Sequence, residues 1–343
     1  MSSQAKGGPP PDPAAIFEAA RGHQLPYILR AGVELGVFTA IAQGSRTAVE
    51  IGKACNASER GIRILCDCLT IMGFLKKAGN DYSLTPDSAF FLDSRSPAYL
   101  GKALKFLLHP HHLKNLEKLT ETVRRGGAES KDETFAPEDP IWVDFARGMA
   151  PMMVPAAQAI AQLLQPILAR KPAPKVLDIA AGHGTFGITV AQQIPNSQIF
   201  AVDWANVLEV ARENAQVRGV SSRVHLLPGS AFEVDFGNGY DAALVTNFLH
   251  HFDPATNESL LRRVRKALNA GGQLIILEFV PNEDRVTPAP AAMFSMTMLS
   301  NTPQGDAFTF PELAAMCRNA GFDGARLAPL EGLPQSLVVA QAI

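Results

Sequence analysis

The chain has 343 residues, 47% hydrophobic and 19% charged, which is globular material long enough for two domains with separate cores. With 31 Lys and Arg against 33 Asp and Glu, the net charge is −2, so no global basic field favours nucleic acid or an anionic membrane. Four scattered cysteines argue against a disulfide framework and fit a reducing cytoplasm, and no apolar run approaches the roughly 18 residues that span a bilayer.

Met1 to Pro13 is rich in Ser, Gly and Pro, without the apolar stretch of a signal peptide or anchor, and is expected to be a disordered tail. Ala14 to Phe38 has a helical pattern of apolar residues, closed by Leu35-Gly36-Val37-Phe38. Thr47 to Ala54, a turn at Cys55 to Ser58 and a helix over Glu59 to Met72 follow, with Ser58 as its N-cap. Phe74 to Lys77, a turn at Gly79-Asn80-Asp81 and Tyr82 to Thr85 predict a hairpin. This order over residues 14–100 is that of a winged helix. Such a module can read DNA, but its presumed recognition helix sets Arg60 and Arg63 against Glu59 and Asp67, and its wing offers only Lys76 and Lys77 against Asp81. The other use of an apolar helical module is a subunit interface, most often that of a symmetric dimer.

Helical stretches over Leu100 to Arg125 and Pro140 to Arg170, separated by the polar loop Gly126 to Asp139, predict a bridge and substrate lid over residues 101–172. A proline-marked linker, Ala169 to Lys175, leads into alternating strands and helices over residues 173–343. The strands are expected at Val176 to Ile179, Gln198 to Val202, Val224 to Leu227, Tyr240 to Thr246 and Gln273 to Val280, with Ala325 to Leu327 and Ser336 to Gln341 as a final antiparallel pair. The fold class is therefore α/β, a Rossmann-like parallel sheet covered on both faces, behind an N-terminal, mainly helical winged-helix domain.

The stretch VLDIAAGHGTFG, Val176 to Gly187, runs a buried strand into a glycine-rich turn and a helix. Gly182 and Gly184 are expected to let a ligand approach the backbone. The spacing Gly182-x-Gly184-x-x-Gly187, followed by Asp203 at the end of the next apolar run, also matches a dinucleotide fingerprint. Asp178 separates the two cofactors. Beside a pyrophosphate its charge repels by several kcal/mol at an effective dielectric of about 20, whereas it suits the sulfonium and ammonium of S-adenosylmethionine. Asp203 is placed to accept ribose hydroxyls and Trp204 to pack on adenine, with Ser230, Ala231 and Phe232, after the third strand, and Asn247, after the fourth, as further cofactor contacts.

Asn247 to Asp253 puts His250 and His251 at the same sheet edge, where an imidazole can take a proton from a phenol-like hydroxyl. Glu278 is an acid inside an apolar strand and needs a partner, either one of these histidines or an arginine. His109, His111 and His112 lack carboxylate or cysteine partners at helical spacing, so no metal site is expected. Two stretches rich in Met and Phe suit the walls of a pocket for a planar organic molecule: Phe145, Met149, Met152 and Met153 in one, and Met293, Phe294, Thr297 and Asn301 in the other.

On these residues the chain resembles the small-molecule O-methyltransferases of plant caffeate type and their bacterial polyketide-tailoring relatives. The resemblance covers nearly everything after the tail, through Leu35-Gly36-Val37-Phe38, Asp178 to Gly184, Asp203, Leu249-His250, Gly271-Gly272 and Glu278. It implies an N-terminal dimerisation domain, a homodimer, S-adenosylmethionine as cofactor, an aromatic or polyketide-like acceptor, and His250 as catalytic base oriented by Glu278. The chain departs from the family pattern in having His251 where Asp is common, Ser230 for Asp, Phe252 for Trp, and no Glu near Asp306 and Ala307. Some relatives use the scaffold for decarboxylation, hydroxylation or rearrangement. A ligand-sensing winged-helix regulator and a nicotinamide-dependent oxidoreductase are the readings from other functional classes.

Overall fold

A computed structural model describes residues 11–129 and 138–343; most of the N-terminal stretch expected to be disordered, and most of the polar loop before Asp139, lie outside the described residues. The chain forms two compact units, one ending at Leu108 and one running from His109 to Ile343.

In the first unit the apolar run from Ala14 is three helices rather than one segment: Ala14–Arg21, Gln24–Glu34 and Val37–Ala42. Gly36, at φ 72°, adopts the left-handed conformation that ends the second helix and begins the third, so Leu35 to Phe38 is a corner. Helices Ala48–Ala54 and Glu59–Ile71 follow, the second N-capped by Ser58, whose hydroxyl accepts from the Gly61 amide at 3.2 Å. Strands β1 (Leu75–Ala78) and β2 (Asp81–Leu84) pair antiparallel with Leu75 opposite Leu84. Asp67 gathers the cations of helix and wing, holding Arg63 at 3.0 Å and Lys77 at 2.5 Å while accepting from the Tyr82 hydroxyl at 2.7 Å. Val37, Phe38, Ile51, Ile62, Cys66, Leu69 and Tyr82 form the core. Short helices Pro86–Phe91, which the sequence pattern did not reveal, and Gly101–Leu107 complete the unit.

The second unit opens with helices Pro110–Glu117 and Leu119–Arg125, then the 28-residue helix Ile141–Leu168. That helix continues through Pro151, Pro155 and Pro166, each of which removes a backbone donor. Its buried stripe, Met153, Ala156, Ala157, Ile160, Ala161, Leu164 and Leu168, recurs at helical spacing against the sheet and supplies the compensating burial.

Among the described residues of this unit the sheet has seven strands: β3 (Lys175–Ile179), β4 (Gln198–Asp203), β5 (Val224–Pro228), β6 (Tyr240–Thr246), β7 (Leu268–Glu278), β8 (Phe322–Pro329) and β9 (Ser336–Ala342). Their order is β5-β4-β3-β6-β7-β9-β8, parallel except for β9, which pairs antiparallel with both neighbours. The chain builds outward from β3 to β5 and returns to lay β6 beside β3. The order therefore reverses between β3 and β6, and a crevice opens at their carboxyl ends. Alternate residues face opposite cores: Leu177, Ile179, Ala243 and Val245 pack with helices Pro254–Ala267 and Phe310–Asn319, while Val176, Ala242 and Leu244 pack with Ile141–Leu168 and Thr185–Gln193. The second Met and Phe stretch is a helix, Ala289–Asn301, which its Pro-rich start and weak periodicity had concealed.

Helix Thr185–Gln193 lies so close to the sheet that a Cβ on Gly187 would stand 2.4 Å from Ile199 Cγ2 and 2.8 Å from Asp178 Oδ2. Gly187→Ala is expected to lower stability by about 1 to 3 kcal/mol in urea unfolding, and a loss of under about 0.5 kcal/mol would show that the helix can move away from the sheet.

Candidate active site

The crevice is built from three loops, after β3, β4 and β6. Ala180, Gly182 and Gly184 take φ values of 53°, 56° and 70°, a run of left-handed residues that tightens the turn ahead of helix Thr185–Gln193. The glycines do different work. A Cβ on Gly182 would meet only the Ala180 carbonyl, at 3.9 Å, so there is room above this residue for a ligand. One on Gly184 would stand 2.9 Å from Ala211 Cβ and 3.0 Å from Ile188 Cδ1. Packing against Ala211 and Ile188 therefore demands a glycine at Gly184.

The two acids also divide. Asp178 has no exposed surface; its Oδ2 accepts from the Gly187 amide at 3.0 Å, and Oδ1 is buried without a hydrogen-bond partner. It lies beneath the turn, and burial, reinforced by Asp203, pushes its carboxyl up to about 7. Asp203 is half-buried, accepting from the Gly182 amide at 2.8 Å and the Trp204 amide at 2.7 Å. Burial raises it only to about 6, so it is ionised at neutral pH with one lone pair on each oxygen left for a hydroxyl. His183, which residue type alone does not single out, is a buried imidazole whose Nδ1 accepts from the Thr185 amide at 3.0 Å and which burial lowers to about 4. Its place between two glycines, two residues before the helix starts at Thr185, is the signal of a neutral cap.

Around these acids, Trp204 packs against the buried cluster Ala146, Val207 and Val210, as do Trp142 and Val143. Ser230 Oγ accepts from the Phe232 amide at 3.2 Å, Ala231 is buried in the core and so offers the crevice only its backbone, and the Phe232 ring meets Phe252 at 4.9 Å and Phe248 at 6.2 Å. Asn247, at φ 51°, donates through Nδ2 to Met153 Sδ at 3.5 Å.

The His250 ring is buried, and its Nδ1 lies 2.7 Å from Glu278 Oε2. Glu278, at the end of β7, accepts through Oε1 from the amides of Phe248 at 3.0 Å and His250 at 3.3 Å. The acid in the apolar strand is thus partnered by histidine and loop backbone rather than by arginine. A carboxylate accepts, so Nδ1 carries the hydrogen and Nε2 presents the lone pair. The Phe294 ring stands edge-on to His250 at 4.9 Å and stacks on Phe279 at 3.9 Å. Burial and the adjacent His250 hold His251 well below the usual histidine range, and its ring lies 4.3 Å from His250 and 6.2 Å from Trp142.

The expected pocket walls are only partly assembled. Met153 is buried, Phe145, Met149 and Phe294 are half-buried, and Met152, Met293 and Thr297 are exposed, Met293 at 73%. The Asn301 side-chain oxygen Oδ1 is engaged by His112 Nδ1 at 2.9 Å and accepts from Asn115 Nδ2 at 3.0 Å. No group of three metal-ligating side chains occurs among the described residues. A groove of about 340 Å³ lies along another side of helix Ala289–Asn301, lined by Gly126, Ser295, Met296, Leu299, Gln304, Gly305 and Asp306. Gly305 brings this groove against the His250 loop: a Cβ there would fall 2.2 Å from the His250 carbonyl oxygen.

Two outcomes follow from this geometry. Gly305→Ala must push the His250 backbone, and a turnover drop of at least about tenfold, equivalent to about 1.4 kcal/mol, is expected in steady-state assays. The raised Asp178 carboxyl keeps its proton in the fold up to about pH 7, while in the unfolded chain it ionises near pH 4. Its contribution to stability therefore falls as pH rises through that window. His183 and His251, whose folded-state affinity for protons is lowered, act in the opposite sense. Comparing wild type with Asp178→Asn cancels those terms, and the stability of wild type relative to the variant is expected to decline from pH 5 to 7.5 in chemical denaturation; a constant difference would refute the assignment.

Residues 17–94 match the profile of the O-methyltransferase dimerisation domain, and residues 141–323 match that of the O-methyltransferase domain. Over 327 residues the chain is 26% identical to the 3-hydroxy-5-methyl-1-naphthoate 3-O-methyltransferase of Streptomyces sahachiroi, covering 94% of this chain and 93% of that one. The structure of a candidate O-methyltransferase from Nostoc punctiforme superposes with a TM-score of 0.91 at 50% identity, covering 97% of this chain and all of that one. The human N-acetylserotonin methyltransferase, solved with S-adenosylmethionine, shares the fold at a TM-score of 0.84 and 20% identity, over 98% of this chain and 99% of that one. With its paired histidine and glutamate at the crevice, and with both regions matched, the chain belongs to the O-methyltransferase family.

Proposed function

We propose that the protein transfers a methyl group from S-adenosylmethionine to a hydroxyl of an aromatic or polyketide-like small molecule, with His250 as general base. The observation that carries this reading is the 2.7 Å hydrogen bond from His250 Nδ1 to Glu278, which leaves Nε2 as the acceptor for a proton. The cofactor supplies an electrophilic methyl group held on a sulfonium. Its site suits the residues present. Asp203 has reachable lone pairs for the ribose hydroxyls, the space above Gly182 admits a ligand, and Trp204 and Phe232 offer ring surface to adenine. Asp178 acts from below the turn, holding the start of helix Thr185–Gln193 through Gly187.

His250 would take the hydroxyl proton and Glu278 would stabilise the imidazolium that forms, while the acceptor oxygen would take the methyl group from the bound cofactor, leaving S-adenosylhomocysteine. The reaction joins an oxyanion to a sulfonium and so disperses charge, which favours a water-poor cleft. Phe145, Met149 and Met153, on helix Ile141–Leu168, and Phe294 are the apolar groups available for a planar acceptor. The curated Streptomyces relative acts, by its name, on a hydroxynaphthoate, which points to a fused phenolic acceptor here. We read residues 14–100 as the dimerisation region of a homodimer; Ile16, Phe17, Leu25 and Tyr27 leave apolar surface exposed on its first two helices.

Incubation with S-adenosylmethionine and 3-hydroxy-2-naphthoate or 1-naphthol, followed by mass analysis, is expected to show a gain of one methyl. Loss of carboxyl or gain of oxygen without methyl would point to a non-methylating use of the fold. His250→Ala is expected to lower turnover about 10²- to 10⁴-fold while leaving S-adenosylhomocysteine binding intact in calorimetry; an active His250→Ala with an inactive His251→Ala would move the base by one residue.

A further inference from the structure

We propose that Asn257 is a positioning residue for the base, holding the loop that carries His250 in its working geometry; this rests on His250 being the base. Asn257 sits in the first turn of helix Pro254–Ala267 and has no exposed surface. It is not needed as the helix cap, because Asp253 fills that role, accepting from the Thr256 amide at 3.0 Å and its hydroxyl at 2.6 Å.

Its amide points back at the loop instead. Nδ2 donates to the Leu249 carbonyl at 2.9 Å and to the Phe252 carbonyl at 3.2 Å, the two carbonyls that bracket His250 and His251. Both hydrogens of the amide are spent on that turn. Oδ1 is buried without a partner, a desolvation penalty that an apolar side chain of similar size would avoid. What the amide adds, therefore, is the pair of donors.

Those donors complete a three-sided hold. Glu278 fixes the His250 ring and amide from β7, Gly305 lies against the His250 carbonyl, and Asn257 ties the carbonyls on either side to a helix anchored by Leu260, Leu261 and Val264. Glu278 alone sets the distance from ring to carboxylate. The direction of Nε2 depends as well on the backbone of the short turn Leu249–His251, which has no regular strand or long helix of its own to stiffen it. Placement errors of about 1 Å at reacting groups cost rate rather than binding.

The test uses Asn257→Leu, which keeps the volume and removes the donors, and Asn257→Ser, which keeps one donor in a smaller side chain. Each is made in the full chain and assayed with S-adenosylmethionine and 3-hydroxy-2-naphthoate. Asn257→Leu is expected to lower kcat about 10- to 100-fold with KM for S-adenosylmethionine and Kd for S-adenosylhomocysteine within about threefold of wild type, and Asn257→Ser to fall between. In a His250→Ala background, Asn257→Leu should have almost no further effect on the residual rate, because a residue acting only through the base has nothing left to act on. Three results would overturn the proposal: kcat within about twofold of wild type for both variants, a loss of kcat matched by loss of S-adenosylhomocysteine binding, or full additivity with His250→Ala. A wild type silent on every phenolic probe sinks the reading of the function itself, and this inference with it.

Discussion

A carboxylate removed from water has to find donors inside the protein, and Glu278 finds all of its donors on one loop. One oxygen takes two backbone amides and the other takes the His250 ring. The arrangement depends on β7 running beside β6, so that the end of one strand faces the loop leaving the other. Without Glu278 the buried amides would lose their acceptors and the imidazole its tautomer, and the penalty for leaving such groups unpaired is larger than the worth of any single bond. The polar cost of the acid is thus what makes the loop geometry definite.

The sheet order explains why the other parts of the site converge there. Reversal between β3 and β6 leaves a crevice at the carboxyl ends, and the loops after β3, β4 and β6 all open onto it. The glycine turn, Asp203 and the His250 loop are far apart in sequence and share one edge. The same sheet is covered on both faces, so β6 is buried along its whole length and cannot shift register without exposing apolar residues. A rigid β6 is the platform from which the short turn at His250 projects.

Within that crevice, residues of one chemical type do unlike jobs because burial separates them. Asp178 and Asp203 stand at or near the ends of adjacent parallel strands, yet one lies sealed under the turn and the other reaches solvent. Gly182 and Gly184 are both left-handed, yet one faces open space and the other a helix. Apolar side chains of the two Met and Phe stretches sort in the same way: Met153 meets the Asn247 amide and Phe294 the His250 ring, while Met152 and Met293 face outward.

Much of this was legible in the sequence. Short, near-continuous apolar runs alternating with helical segments specify a parallel sheet covered on both faces, because a strand buried on both sides needs apolar residues at successive positions. An acid in the middle of LIILEFV announced that Glu278 needs a partner, since burial of an unpaired charge is prohibitive, and the position of His250 after a strand made it a candidate. What only the tertiary structure decided is which groups meet. Sequence spacing left histidine and arginine both open as the partner of Glu278, did not reveal that Ala211 packs against Gly184, and gave no sign that Asn257 reaches back to two carbonyls. Local pattern sets the element, because hydrogen bonding and side-chain periodicity act over a few residues. Pairings between residues 28 or 32 positions apart, such as His250 with Glu278 or Arg223 with Ala191, are set by the packing of whole strands and helices, and no window of sequence contains that information.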